Sequence, residues 1–193
     1  MAASVACAST EASWTEAEEV AKAWESALSR LNTLTPEEAA DELLKCCGST
    51  RWSGRVSALR PFRDVPELLA TADCVWCELS REDWLEAFRS HPKIGEKKAS
   101  QNVSGDAQRW SEREQATARA AAPETLAALA AANRVYEDKF GYIFIVCATG
   151  KTAGEMLTLL EARLDNDPDS ELRIAAEEQR RITQLRLQKL LNE

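Results

Sequence analysis

The chain has 193 residues, enough for one domain whose core can form without metal or disulfides. Its 32 acidic and 24 basic side chains give a formal charge of -8, which repels nucleic acid and anionic membrane; a small anionic ligand would need a local positive site. Cys7, Cys46, Cys47, Cys74, Cys77 and Cys147 with no secretory signal ahead of them fit free thiols in a reducing compartment, and no run reaches the roughly 20 apolar residues that cross a bilayer.

Met1 to Ser13, rich in Ala and Ser and without a basic residue, reads as a disordered tail ahead of one helical domain over residues 14–193. Trp14 to Leu31 sets Val20, Ala23, Trp24, Ala27 and Leu31 along one side of a helix. Thr35-Pro36-Glu37-Glu38 is a capping box with proline at the first helical position, and it opens a helix ending near Gly48. Gly54, Pro61 and Pro66 leave room for at most one short helix between Ser49 and Pro66. Pro66 to Leu79 is helical through Leu68, Leu69, Ala72, Val75 and Trp76. Ser80 caps the next helix, where Trp84, Leu85 and Phe88 recur at helical spacing. Pro92 stops that helix, so His91 stands where helix becomes loop.

After a polar loop, Ser111 can cap a further helix on which Ser111, Glu114 and Gln115 lie at i, i+3 and i+4, on one face. Pro123 breaks or opens a segment that runs to a stop at Gly141. Tyr142 to Ala148 is an apolar run of seven residues, too short for a helix and too isolated for a sheet. Thr152-Ala153-Gly154-Glu155 is a second capping box, whose helix ends near Asn166 and Pro168. The last helix runs from about Ser170 to Leu191, with Leu172, Ile174, Ala175, Ile182, Leu185, Leu187 and Leu190 in phase. The expected fold class is all-α, a single domain of about seven or eight helices.

Taken singly, the polar residues have plain structural uses. A lone histidine at a helix end is ordinarily a cap or a core residue, Glu114 an exposed helical carboxylate, Gln115 a solvated amide and Ser111 an N-cap. Taken together, with Pro92 beside the imidazole, they form a candidate site. Cys74-Val75-Trp76-Cys77 has the spacing of a zinc or redox pair, but no second such pair exists and the sole histidine belongs to the candidate site; buried free thiols and no metal are expected. Trp24, Trp52, Trp76 and Trp84 read as core or interface.

His91-Pro92-Lys93-Ile94-Gly95, then Ser111-x-x-Glu114-Gln115, then Phe140-Gly141-Tyr142-Ile143-Phe144-Ile145-Val146-Cys147 resemble, in order and from about Asp83 to the C-terminus, the OHCU decarboxylase family, including the decarboxylase domain of plant allantoin synthases. The resemblance implies a carbon-carbon lyase of urate degradation that converts 2-oxo-4-hydroxy-4-carboxy-5-ureidoimidazoline to (S)-allantoin. An adjacent carbon-nitrogen double bond can take up the electron pair left by carbon dioxide, so no cofactor and no metal are expected. His91 is implied as proton donor, with Glu114 the second catalytic residue. Pro92, Ser111, Gln115, Arg186 and the segment Ile143, Phe144, Ile145, Val146 and Cys147 are implied as substrate contacts. Lys93 is a minor candidate, and Arg163 reads as a structural ion-pair partner. The family further implies a homodimer in the peroxisome or cytoplasm, although the chain carries no recognisable targeting signal. A competing reading is a non-catalytic helical interaction module on the same fold.

Overall fold

The computed structural model describes residues 8–93, 105–114 and 121–192, with side chains from residue 18 onward. Among them are nine helices and no strand: α1 Ala8–Thr33, α2 Pro36–Cys47, α3 Thr50–Ala58, α4 Val65–Cys77, α5 Arg81–Arg89, α6 Gly105–Glu114, α7 Pro123–Phe140, α8 Ala153–Arg163 and α9 Pro168–Leu190. The all-α class therefore stands, with one helix more than the upper expectation. The additional helix is the one short helix for which the stretch between Ser49 and Pro66 had room: Ser49 Oγ accepts from Trp52 N and starts α3, a helix of 9 residues. Helix α1 begins at Ala8, ahead of Trp14.

Local signals set most boundaries. Thr35, Ser80 and Thr152 each close a reciprocal capping box, with Glu38, Asp83 and Glu155 at N3. Asp64 caps α4 one residue earlier than the proline implied, accepting from Glu67 N at 2.8 Å. Gly48 ends α2 at φ 84°, and a Cβ there would overlap Ser90 of the neighbouring helix, so side-chain-free backbone is needed both for the left-handed turn and for the approach of α5. Ser111 does not cap α6; that helix starts at Gly105, and Ser111 faces inward from its middle.

Helix α9 packs against α2, α4 and α5. Trp76 Nε1 donates to Ala176 O at 3.0 Å, Gln184 Nε2 to Asp73 and Leu69, and Arg180 pairs with Asp73 at 2.6 Å, which fixes α4 against it. Leu43, Trp52, Leu68, Phe88, Leu160 and Leu187 fill the core. Each such side chain contributes about 1.5–3 kcal/mol on burial. The outward face of α4 carries Ala70, Cys74 and Cys77, so the two thiols expected to be buried are exposed, while Cys46 and Cys47 on α2 are buried. Trp52 and Trp76 are core; Trp24 and Trp84 are partly covered. Among the described residues no helix is long and apolar enough to cross a membrane.

The apolar run after Gly141 is neither helix nor strand. Its backbone is held by side chains instead: Arg163 Nη1 donates to Ile145 O at 2.9 Å, Cys147 N to Glu178 Oε2 at 2.7 Å, and Lys151 Nζ to Cys147 O at 2.7 Å. Arg163 also grips the fully buried Glu171, through Nε at 2.8 Å and Nη2 at 2.5 Å. Tyr136 and Asn166 donate to the same carboxylate. Arg163 is thus the structural ion-pair partner that its position implied.

Candidate active site

Four chain segments meet around one cavity. The end of α5 brings His91 and Pro92, α6 brings Ser111 and Glu114, and α9 brings Ile182. The held segment after Gly141 supplies Phe144, Ile145, Val146 and Ala148 as an apolar wall. Pro92 bars any further helix after α5, which leaves the imidazole on the cavity wall, while the spacing of three residues puts the hydroxyl and the carboxylate on one side of α6.

Behind that face stands Arg186 of α9, 2% exposed. Its Nη2 donates to Ser111 Oγ at 2.8 Å and to Glu114 Oε2 at 2.9 Å, and its Nε to Glu114 Oε1 at 3.2 Å. Lys189, one turn on, donates to Glu114 Oε1 at 2.8 Å. Burial works against the Glu114 charge, but the Arg186 charge and the hydrogen bonds from Arg186 and Lys189 outweigh it and hold the carboxyl below its ordinary range. Glu114 is ionised and fixed.

The imidazole is driven the other way. Burial first, and the nearby Arg186 charge second, lower the His91 pKa to about 3, with Glu114 and Gln179 opposing. At neutral pH the ring is uncharged. Among the described residues its Nε2 is enclosed without a hydrogen-bond partner.

A family model described as OHCU decarboxylase matches residues 32–188. The chain belongs to the OHCU decarboxylase family. It is 40% identical over 158 residues to the uric acid degradation bifunctional protein of Arabidopsis thaliana, covering 81% of this chain and 48% of that one, so it spans about half the length of that relative. It is 28% identical over 166 residues to the 2-oxo-4-hydroxy-4-carboxy-5-ureidoimidazoline decarboxylase of Haloferax volcanii, covering 83% of this chain and 93% of that one. A crystal structure of OHCU decarboxylase in the presence of (S)-allantoin matches with a TM-score of 0.69 and 40% identity over 79% of this chain and 99% of that chain.

Of the residues that the family resemblance singled out, His91, Pro92, Ser111, Glu114, Phe144, Ile145 and Val146 share the cavity wall. Ile143 and Cys147 lie in the same segment, but among the described residues the wall does not include them. Arg186 stands one layer back, joined to the cavity through Ser111 and Glu114. Lys93 Nζ is paired with Glu137 of α7 at 2.6 Å. Gln115 lies outside the described residues. Sequence reasoning missed Lys189, Ile182, Ala148 and Gln179. Lys189 and Ile182 stand at i+3 and i-4 from Arg186, so helical spacing around that arginine was the available signal.

Proposed function

We propose that the chain decarboxylates 2-oxo-4-hydroxy-4-carboxy-5-ureidoimidazoline to (S)-allantoin, with His91 carrying the proton. The observation that supports this most strongly is the shared cavity: an uncharged imidazole and a fixed carboxylate, brought from separate helices, face one space with an apolar wall. Breaking the bond to the carboxyl group sends its electron pair toward the ring's carbon-nitrogen double bond, whose nitrogen takes up one proton supplied by solvent. An enol is left at the hydroxyl-bearing carbon. That enol becomes the ketone when its hydroxyl proton leaves and a proton is added to the ureido-bearing carbon. A neutral imidazole suits this step, because it can first accept the hydroxyl proton and then deliver it to one face of the ring.

Glu114, locked by two cations, cannot readily exchange a proton; its role in this reading is to accept hydrogen bonds from the ureido or hydroxyl groups. Ser111 adds a hydroxyl beside it, and the apolar wall keeps water from the departing carboxylate. The test is production of optically active (S)-allantoin from freshly generated substrate by the purified chain. His91→Asn should abolish the acceleration while circular dichroism shows the helical fold intact; turnover equal to the parent would overturn the assignment. A homodimer in the peroxisome or cytoplasm belongs to the same proposal, to be read from sedimentation and from a fluorescent fusion.

A further inference from the structure

Gln179 is fully buried on α9, one turn before the cavity residue Ile182. Its amide orientation is settled by its neighbours. The Nε2 group faces Cys47 O at 3.4 Å and Thr183 Oγ1 at 3.3 Å, and Thr183 Oγ1 itself donates to Gln179 O. Reversing the amide would set oxygen against the Cys47 carbonyl, which only accepts. Gln179 Oε1 is therefore an acceptor, and among the described residues it is buried with no donor within hydrogen-bond distance. Such an orphan costs free energy unless it serves a purpose.

The complementary orphan is His91 Nε2, also buried and, among the described residues, without a partner within hydrogen-bond distance. The two lie on touching segments. Cys47, whose carbonyl Gln179 holds, precedes Gly48; Gly48 abuts Ser90, and Ser90 precedes His91. Gln179 is also among the groups that favour the protonated ring. Arg186 and Glu114 face the same imidazole with opposite signs, while the Cys47 thiol of α2, pushed up to about 12 by burial, stays neutral.

We infer that Gln179 is a positioning residue: its Oε1 accepts from His91 Nε2–H during turnover, fixing the tautomer whose Nδ1 lone pair faces the substrate. The hydrogen bond tightens when a ligand closes the cavity, as catalytic contacts commonly do. Nδ1 then takes the enol proton, the imidazolium is held at its far side by the amide oxygen, and Nδ1 returns the proton to carbon. This rests on the proposed proton-carrying role of His91, but the tautomer can be read without turnover.

The chain has a single histidine, so a 15N-labelled sample gives one pair of ring-nitrogen resonances. With allantoin bound at neutral pH, Nε2 should be the protonated nitrogen. Gln179→Met, similar in size but with no amide acceptor, should show both tautomers. Its kcat should fall about tenfold to a hundredfold, part of the ~10²–10⁴ that a positioned proton transfer contributes. KM should change little. Gln179→Glu should restore one tautomer and move the acid limb of the kcat profile to higher pH. A parent spectrum with Nδ1 protonated overturns the inference even if Gln179→Met fails to fold. So does Gln179→Met with parental spectrum, kcat and pH profile. Full turnover in His91→Asn would instead sink the proton-carrying role and leave the tautomer result standing.

Discussion

Replacing Arg163 by Met keeps most of the side-chain stem and removes the charge that organises the buried end of α8. Glu171 is fully buried, and the change strips its carboxylate of the bonds at 2.8 and 2.5 Å. Among the described residues only the Tyr136 hydroxyl and Asn166 Nδ2, the latter at 2.7 Å, remain on it. Removing one partner of a buried ion pair costs about 3–5 kcal/mol, because the survivor is left charged in a poorly solvated place. For a chain of this size each kcal/mol lowers Tm by about 2–4 °C, so a drop of roughly 6–20 °C is expected by calorimetry, with a matching shift of the urea midpoint. Arg163→Met with Glu171→Leu removes the stranded charge and should recover at least half of the loss. The Ile145 carbonyl loses its donor in both variants, so activity should fall in the double variant even where stability returns. A single variant within about 1 kcal/mol of the parent, or a double variant no more stable than the single, would refute the reasoning.

The His91 ring is neutral in the fold down to about pH 3, whereas an unfolded histidine protonates near 6.5. The unfolded chain therefore binds the extra proton between those values; this part of stability is complete above about pH 6.5 and is lost as pH falls toward 3. From pH 6.5 to 5 the parent should lose about 2 kcal/mol more than His91→Asn in urea unfolding, and parallel pH profiles would contradict the burial argument. Gly48→Ala should cost at least about 1–2 kcal/mol from its φ of 84° and lower activity through Ser90, whereas Gly141→Ala, with open space at φ 79°, should cost only the backbone part; equal thermal melts would remove the Ser90 contact from the account. A thiol reagent should modify Cys74 and Cys77 in the folded chain and reach Cys46 and Cys47 only on unfolding, as mass spectrometry of digests would show. Lys189→Met should raise KM for the anionic substrate about tenfold with kcat nearly kept, the effect of about 1.4 kcal/mol of lost attraction; an unchanged KM would exclude Lys189 from the local positive site.

The helices were legible where short-range chemistry sets them. Thr35, Ser80 and Thr152 cap in their own sequence context, and Pro92 and Gly141 stop helices by local backbone constraint, so these boundaries need no tertiary information. Ser111 was misread as a cap because its short-range signal and its long-range use look alike in sequence; its hydroxyl is taken by Arg186, 75 positions away. The thiols of Cys74 and Cys77 were misplaced for a similar reason. An apolar helix shows which residues could be inside, and only the packing of α4 on α3 and α9 decides which side is. Gln179 was invisible because its role depends on a carbonyl 132 positions away.

The cavity also answers the charge problem posed by composition. For the proposed anionic substrate, a chain of net charge -8 would supply the attraction through Arg186 and Lys189, which stand on successive turns of α9 against the carboxylate of Glu114. The neutral His91 adds nothing to the count, so this group carries one surplus positive charge, placed where burial makes it weigh more than a surface charge would. The same guanidinium that holds Glu114 ionised adds to the burial that keeps the imidazole deprotonated. In the proposed reaction, an anion bound beside it would offset that field and raise the affinity of His91 for a proton. On this account the resting site is poised for substrate by its own electrostatics, and charge selection and proton transfer are set by the same residue on α9.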